Sequence, residues 1–297
     1  MASRTARLFD KEQNFAMLMV APAIIVLVVT TTFPLAFLLW NSFHSINLAM
    51  PYMNGFVGFD NYAAMFHDGE FWHSLWLTAI YTVSTVALQL VIGLGLALLV
   101  MQIPAGQWLF RIVAILPIVL APVVVGLFWR TLMLAPNFGV IDFAAKALGF
   151  GAINWLGSPT PALVSVIVIH TWQWTPFAFL VLLASLASLP PDVYEAARID
   201  RANAVNRFIH ITLPLIRPAI VIVVIMRSMI ALSAFAAIFA ATGGGPGTAT
   251  EILNLYAYRT SFVKLDFGYG SALAVALLLI TLVVSSILFV MRTARSR

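Results

Sequence analysis

The chain has 297 residues, of which 62% are hydrophobic and 9% charged, with a mean hydropathy of +1.00. Soluble domains carry about 25% charged residues, so these proportions exclude an ordinary water-soluble domain. The lack of cysteine excludes disulfides, thiolate catalysis and cysteine metal sites, and the net charge of +5 comes mainly from arginines at segment ends, where it reports topology rather than nucleic-acid binding.

In chain order, the apolar runs are long and do not alternate, which predicts an all-α polytopic membrane protein rather than a barrel. Six runs approach the roughly 20 residues a bilayer needs. Residues 1–14 carry Arg4, Arg7 and Lys11 and lack the apolar core and cleavage site of a signal peptide, so the first span, Phe15–Phe37, is expected to be retained. The second span is read at Leu75–Met101. The third, Leu109–Leu132, is interrupted by Pro117 and Pro122, and the fourth covers Pro161–Leu186. The fifth, Ala219–Ala241, leads into a glycine-rich loop, Gly243–Gly247, and the sixth, Ser271–Met291, precedes a basic tail over 292–297. The permease-like body is thus expected over 15–291.

Between the fourth and fifth spans lies a charged segment, 190–217. Pro190 and Pro191 stop the preceding helix, Asp192 offers a helix-start side chain, and Pro214 and Pro218 close the segment. Ala196, Ile199, Ala202, Val205 and Ile209 recur at helical spacing and predict one amphipathic helix, with Glu195, Arg198, Asp200, Arg201 and Arg207 largely off the apolar stripe. Such a helix suits docking on a soluble partner; the alternative is a helix lying on lipid headgroups. Six spans put this segment, both termini and the Gln102–Gln107 turn on one side. That side holds most of the arginines, and basic residues mark the cytoplasm.

No chemistry of catalysis is visible. The Thr242–Thr250 stretch has no lysine and is not a phosphate-cradling loop. The five histidines (His44, His67, His73, His170 and His210) are scattered without metal spacing and read as loop or interface residues, and no nucleophile turn occurs. Arg227 is the clear ionisable residue inside a span, a place where charge is costly and faces a cavity or a partner. Pairing with a carboxylate of another subunit, or snorkelling to the cytoplasmic interface, would also account for it. Trp172 and Trp174 offer apolar faces suited to polyhydroxyl ligands, although packing or belt roles fit equally. With acidic residues nearly absent from the spans, an ion-coupled secondary transporter is disfavoured.

Glu195-Ala196-Ala197, Asp200 and Ile211-Thr212-Leu213-Pro214 resemble the EAA loop of the membrane subunits of ABC importers, with Arg201 at the usual glycine. Ala21-Pro22, Phe33-Pro34-Leu35, the Phe56–Tyr62 connection, Ile115-Leu116-Pro117 and Thr242–Thr248 are similar to the carbohydrate permeases of the maltose-transporter type, over essentially the whole chain. Trp172-Gln173-Trp174, Pro176-Phe177 and the glycine-rich loop are most like the sugar-alcohol (mannitol/sorbitol) branch.

The resemblance implies a multi-pass plasma (inner) membrane permease, not itself an enzyme. It would work with a sister permease, two ATPase subunits that bind ATP and Mg, and an extracytoplasmic solute-binding protein. No cofactor is implied in the chain itself. Glu195, Ala196, Ala197, Asp200, Arg201, Leu213 and Pro214 would meet the ATPase. Counting along the family pattern places Thr171, Thr175 and Arg227, with Trp172 and Trp174, on the substrate path of a sugar or sugar alcohol. An amino-acid or phosphate permease is the near competitor, and Arg227 would suit a sugar phosphate such as glycerol phosphate.

Overall fold

The structure, a computed structural model, describes residues 2–103, 105–151 and 153–294. The side chains of Arg4, Arg7, Lys11 and Arg292, and the residues Arg295 and Arg297, all read above as cytoplasmic markers, lie outside the described part. The helices are α1 (Ala2–Ser42), α2 (Asp60–His67), α3 (Gly69–Gln102), α4 (Gln107–Val119), α5 (Pro122–Phe128), α6 (Val140–Ala147), α7 (Pro159–Ala187), α8 (Pro191–Ile199), α9 (Ala204–Arg207), α10 (Leu213–Leu232), α11 (Ala236–Ala241), α12 (Leu253–Phe262) and α13 (Phe267–Ala294). Two π-helical turns, Trp129–Met133 and Phe208–Thr212, extend α5 and join α9 to α10. Apart from a hairpin of two-residue strands, β1 (His44–Ser45) and β2 (Gly55–Phe56), the named elements among the described residues are helices joined by loops.

Five helical stretches are long and apolar enough to cross a membrane: Met19–Ser42, Gly69–Gln102, Pro159–Ala187, Ala204–Leu232 and Phe267–Val290. A sixth would be the pair Gln107–Val119 and Pro122–Met133, bent by 97°. The third expected span is therefore a broken one, and the physical cause is local. Pro122 has no N–H to continue the ladder and pushes Ala121 into the extended region (φ −60°, ψ 137°). The carbonyl of Leu120 that this frees accepts a hydrogen bond from Gln173 Nε2 at 3.0 Å, as an apolar surrounding demands of any open backbone group.

The fifth expected span, Ala219–Ala241, needs correction in the same sense. Its helix starts earlier, at the end of the charged segment, and stops at Leu232; the chain then breaks over 233–235 before the short α11. The carbonyls of Ser233 and Ala234 accept from Asn254 Nδ2 at 3.0 and 3.3 Å. Both breaks within apolar stretches are thus capped by side-chain amides, and hydropathy, which measures only transfer, registers neither.

The chain divides into two compact units, Met1–His67 with Arg259–Val275 and Asp68–Tyr258 with Ala276–Arg297. In the first, Asn61 Nδ2 donates to the carbonyls of Ser42 and His44, and Tyr62 Oη donates to Ser42 Oγ at 2.7 Å, seating α2 on the end of α1. In the second, α3 lies along α7. Gly93 makes this possible, since a Cβ there would come within 2.8 Å of Ala178 Cβ and 2.9 Å of the Phe179 nitrogen. Small residues at helix contacts are the usual device in membranes, where lipid competes equally for apolar side chains. Gly126 does the same for α5 against α11. Buried Ala97, Val100, Phe179, Leu182, Ile216 and Val223 fill the space between α3, α7 and α10.

Candidate functional site

The charged segment is two helices rather than the single amphipathic helix expected from its stripe. α8 ends at Ile199 and the chain turns through Arg201, which takes a left-handed conformation with φ 55°. The amide of Ala202 donates to the Ala197 carbonyl and that of Arg201 to Arg198, both at 3.0 Å. This is the Schellman closure of a helix C-terminus, whose left-handed position favours glycine. The family's glycine stands at this position, and arginine here keeps the turn at the cost of a disfavoured backbone. Arg201→Gly is accordingly expected to stabilise the turn by about 1 kcal/mol, seen as a rise in melting temperature of the purified protein.

Asn203 then caps α9, its Oδ1 accepting from the Asn206 amide at 2.7 Å. Tyr194 Oη and Thr212 Oγ1, 2.8 Å apart, tie α8 to the start of α10. Of the residues expected to meet a partner, Glu195, Ala196, Asp200, Arg201 and Pro214 are exposed, Leu213 is half-buried and Ala197 is buried against the turn. Ile199 and Val205, members of the predicted apolar stripe, are 82% and 62% exposed. Exposed aliphatic side chains beside Glu195 form part of this surface, and the stripe itself was their signal in the sequence.

The second candidate site lies between the spans. α7 presents His170, Gln173 and Trp174 at i, i+3 and i+4 on one face. With Tyr81 of α3, Pro122 of α5 and the break at 233–235, they line a cavity of about 250 Å³. Arg227 sits behind this wall and is fully buried. Its Nε donates to Gln89 Oε1 at 2.8 Å, its Nη2 lies 3.1 Å from His170 Nε2, and its Cζ stacks 4.4 Å above the Trp174 ring. Arginine has no acceptor, so His170 Nε2 accepts this bond and carries no proton. Among the described residues no carboxylate reaches ion-pair distance of Arg227. The hydroxyl of Tyr81, Oε1 of Gln173 and Nη1 of Arg227 are buried with no partner among the described residues. Buried polar groups left in this way call for a ligand or another explanation.

The expected substrate-path residues divide between two faces of α7. Trp174 and Arg227 belong to the polar cavity's wall and backing. Thr171, Trp172 and Thr175 line a larger apolar cavity of about 470 Å³ toward α3, α4 and α5. There Trp172 packs edge-on to Trp129 and stacks on Phe128, and Thr175 Oγ1 donates to the carbonyl of Thr171 at 2.6 Å. Tyr81, Gln89, His170 and Gln173 were not singled out from the sequence as path residues. His170, read as a loop or interface histidine, is buried inside α7. Isolated polar residues within the apolar runs of α3 and α7 were the available signal.

Five to six helical stretches long and apolar enough to cross a membrane, two of them broken, define the class of polytopic membrane protein. Residues 89–295 match the family described as binding-protein-dependent transport system inner membrane component, and the chain belongs to that family. It is 38% identical over 276 residues to the sulfoquinovosyl glycerol transport system permease protein SmoG of Agrobacterium fabrum, covering 93% of this chain and 89% of the relative. It is 33% identical over 293 residues to the trehalose/maltose transport system permease protein MalF of Thermococcus litoralis, covering 99% and 98%. Its fold is similar to that of a chain in a bacterial ABC transporter that imports the acidic polysaccharide alginate. The TM-score is 0.83 at 21% identity, with 98% of this chain and 100% of that chain covered. The protein is therefore a multi-pass inner-membrane permease of an ABC importer and not itself an enzyme.

Proposed function

We propose that this permease serves an importer of a sugar or sugar alcohol, forming one side of the translocation path with a sister permease. In this reading α8 and the Arg201 turn face the cytoplasm and take up the motion of two ATPase subunits, which bind ATP and Mg. A solute-binding protein delivers the cargo from outside. The names of the relatives, which transport sulfoquinovosyl glycerol and trehalose or maltose, support the carbohydrate class.

The observation that carries the reading is the polar cavity. Trp174, Tyr81 and Gln173 are among its lining residues, and the Tyr81 hydroxyl and Gln173 oxygen are buried there without a partner among the described residues. Sugars need this combination: apolar ring faces packed on an aromatic, and hydroxyls met by a few directed polar groups. Arg227 is held behind Trp174 and does not line the cavity, which favours neutral polyhydroxyl cargo over a sugar phosphate bound through its charge.

The test is ATP hydrolysis by the assembly that co-purifies with this chain in lipid nanodiscs, with the candidate binding protein and a panel of sugars, polyols and sugar phosphates. Stimulation by neutral sugars or polyols is the expected result. Stimulation by sugar phosphates alone would make Arg227 the anion site instead. Uptake that followed a proton or sodium gradient, with no co-purifying ATPase, would overturn the proposal.

A further inference from the structure

Arg227 is the largest fully buried side chain described in the molecule, and the proposed passage of solute does not use it directly. We infer that Arg227 is a positioning residue that ties the helix rising from the charged turn to the cavity wall, so that movement at one end is felt at the other. This rests on the reading of the chain as an ATP-coupled permease.

The geometry has three parts. First, the helical stretch Ala204–Leu232 passes from the Asn203 cap through the π-helical turn into α10 without a break. Arg227 therefore lies about 35 Å along the helical path from the turn that follows α8, at 1.5 Å of rise per residue. Second, the guanidinium holds groups from two other helices, Gln89 of α3 and His170 and Trp174 of α7. Gln89 Nε2 lies 3.4 Å from the His170 carbonyl, linking α3 to α7 as well. Third, His170 and Trp174 are cavity wall while Arg227 and Gln89 are not. A shift or rotation of α10 must then either carry these two wall side chains with it or break the bonds to Arg227.

A buried cation with no carboxylate among the described residues is a costly thing to keep. Stability alone would be served as well by an apolar side chain. The planar fork of arginine, by contrast, fixes the directions of several bonds at once, which a lysine ammonium cannot do. The arrangement is suited to a junction that must switch as a unit. Its free-energy coupling is reciprocal, so a loaded cavity should bias the charged turn as strongly as the turn biases the cavity.

The experiment compares the complete assembly carrying Arg227→Gln, Arg227→Lys or Gln89→Met with the wild type in nanodiscs. It measures basal ATP hydrolysis, hydrolysis with solute-loaded binding protein, and ATP consumed per solute transported. The expected result is that the ratio of stimulated to basal hydrolysis falls by about fivefold or more in Arg227→Gln, with more ATP spent per solute. Lysine should restore only part of the ratio, and Gln89→Met, which roughly keeps the volume and removes the Gln89 hydrogen bonds to Arg227 and to the His170 carbonyl, should lower it in the same direction. Should the arginine variants fail to assemble, Gln89→Met decides the matter. A ratio unchanged in an assembled variant overturns the inference, as does a loss confined to the KM for solute, which would mark a direct solute contact. Wild-type assembly that shows no stimulation at all overturns the functional reading itself and the inference with it.

Discussion

Gly126→Ala is expected to deplete folded permease from the membrane, although it adds a single methyl group. A Cβ at this position would lie 2.5 Å from the Ala237 carbonyl oxygen, 2.8 Å from Ala240 Cβ and 3.2 Å from the Ala241 nitrogen. Two of these are backbone atoms of α11, so relief requires the helix to move. Overpacking of this kind costs about 1–3 kcal/mol, occasionally more, against roughly 0.5–1 kcal/mol gained in helix propensity. α11 also contributes Ala237 and Ile238 to the polar cavity, so even a protein that tolerates the shift should transport poorly. Gly95→Ala is the control, since nothing lies within 4 Å of its added methyl and only the propensity gain remains. Membrane abundance and melting temperature of both variants, with uptake alongside, check this; a Gly126→Ala protein as stable as Gly95→Ala would refute the close approach of α5 and α11.

The second large effect concerns the exposed surface of α8. Glu195→Ala and Ile199→Asp are each expected to release the ATPase from the purified assembly, with transport falling about tenfold or more for a loss of at least 1.4 kcal/mol. A residue at the centre of a docked face often costs 2 kcal/mol or more when truncated. Both side chains are exposed, and no side-chain hydrogen bond ties Glu195 to the chain among those described. The melting temperature of the isolated permease should therefore stay constant. Subunit stoichiometry after affinity purification reads the first quantity and thermal unfolding the second. Retained ATPase in both variants would mean that the helix lies on lipid instead.

Much of this was legible in the sequence. Length and hydropathy of the apolar runs locate the stretches that could cross a membrane, because burial in lipid is a property summed over some twenty residues. What summation misses is where a run bends. Ala121 and Ser233–Phe235 are breaks whose freed carbonyls are met by Gln173 and Asn254, residues 53 and 20 positions distant, and no local window contains both partners. The charged segment shows a related limit. Its apolar stripe assumes one continuous helix, and periodicity alone carries no information on the left-handed turn at Arg201 that divides it. The expected path residues on α7 fall on two faces, Thr171, Trp172 and Thr175 on one and Trp174 on the other, because a shift of one position along a helix turns a side chain by about 100°. Thr171 and Trp172 thus face one cavity while His170 and Gln173 face the other.

The π-helical turn Phe208–Thr212 carries the same arithmetic into the evolution of the chain. Such a turn holds one residue more than the α-helical ladder needs. Loss of that residue, or gain of another, would leave a perfectly good helix, yet every side chain from Leu213 onward would be turned by about 100° relative to the Tyr194–Thr212 clasp. Arg227 would then point away from Gln89. Drift at the exposed positions of this stretch is cheap, while insertions and deletions are not. Selection should therefore hold its length far more firmly than its letters.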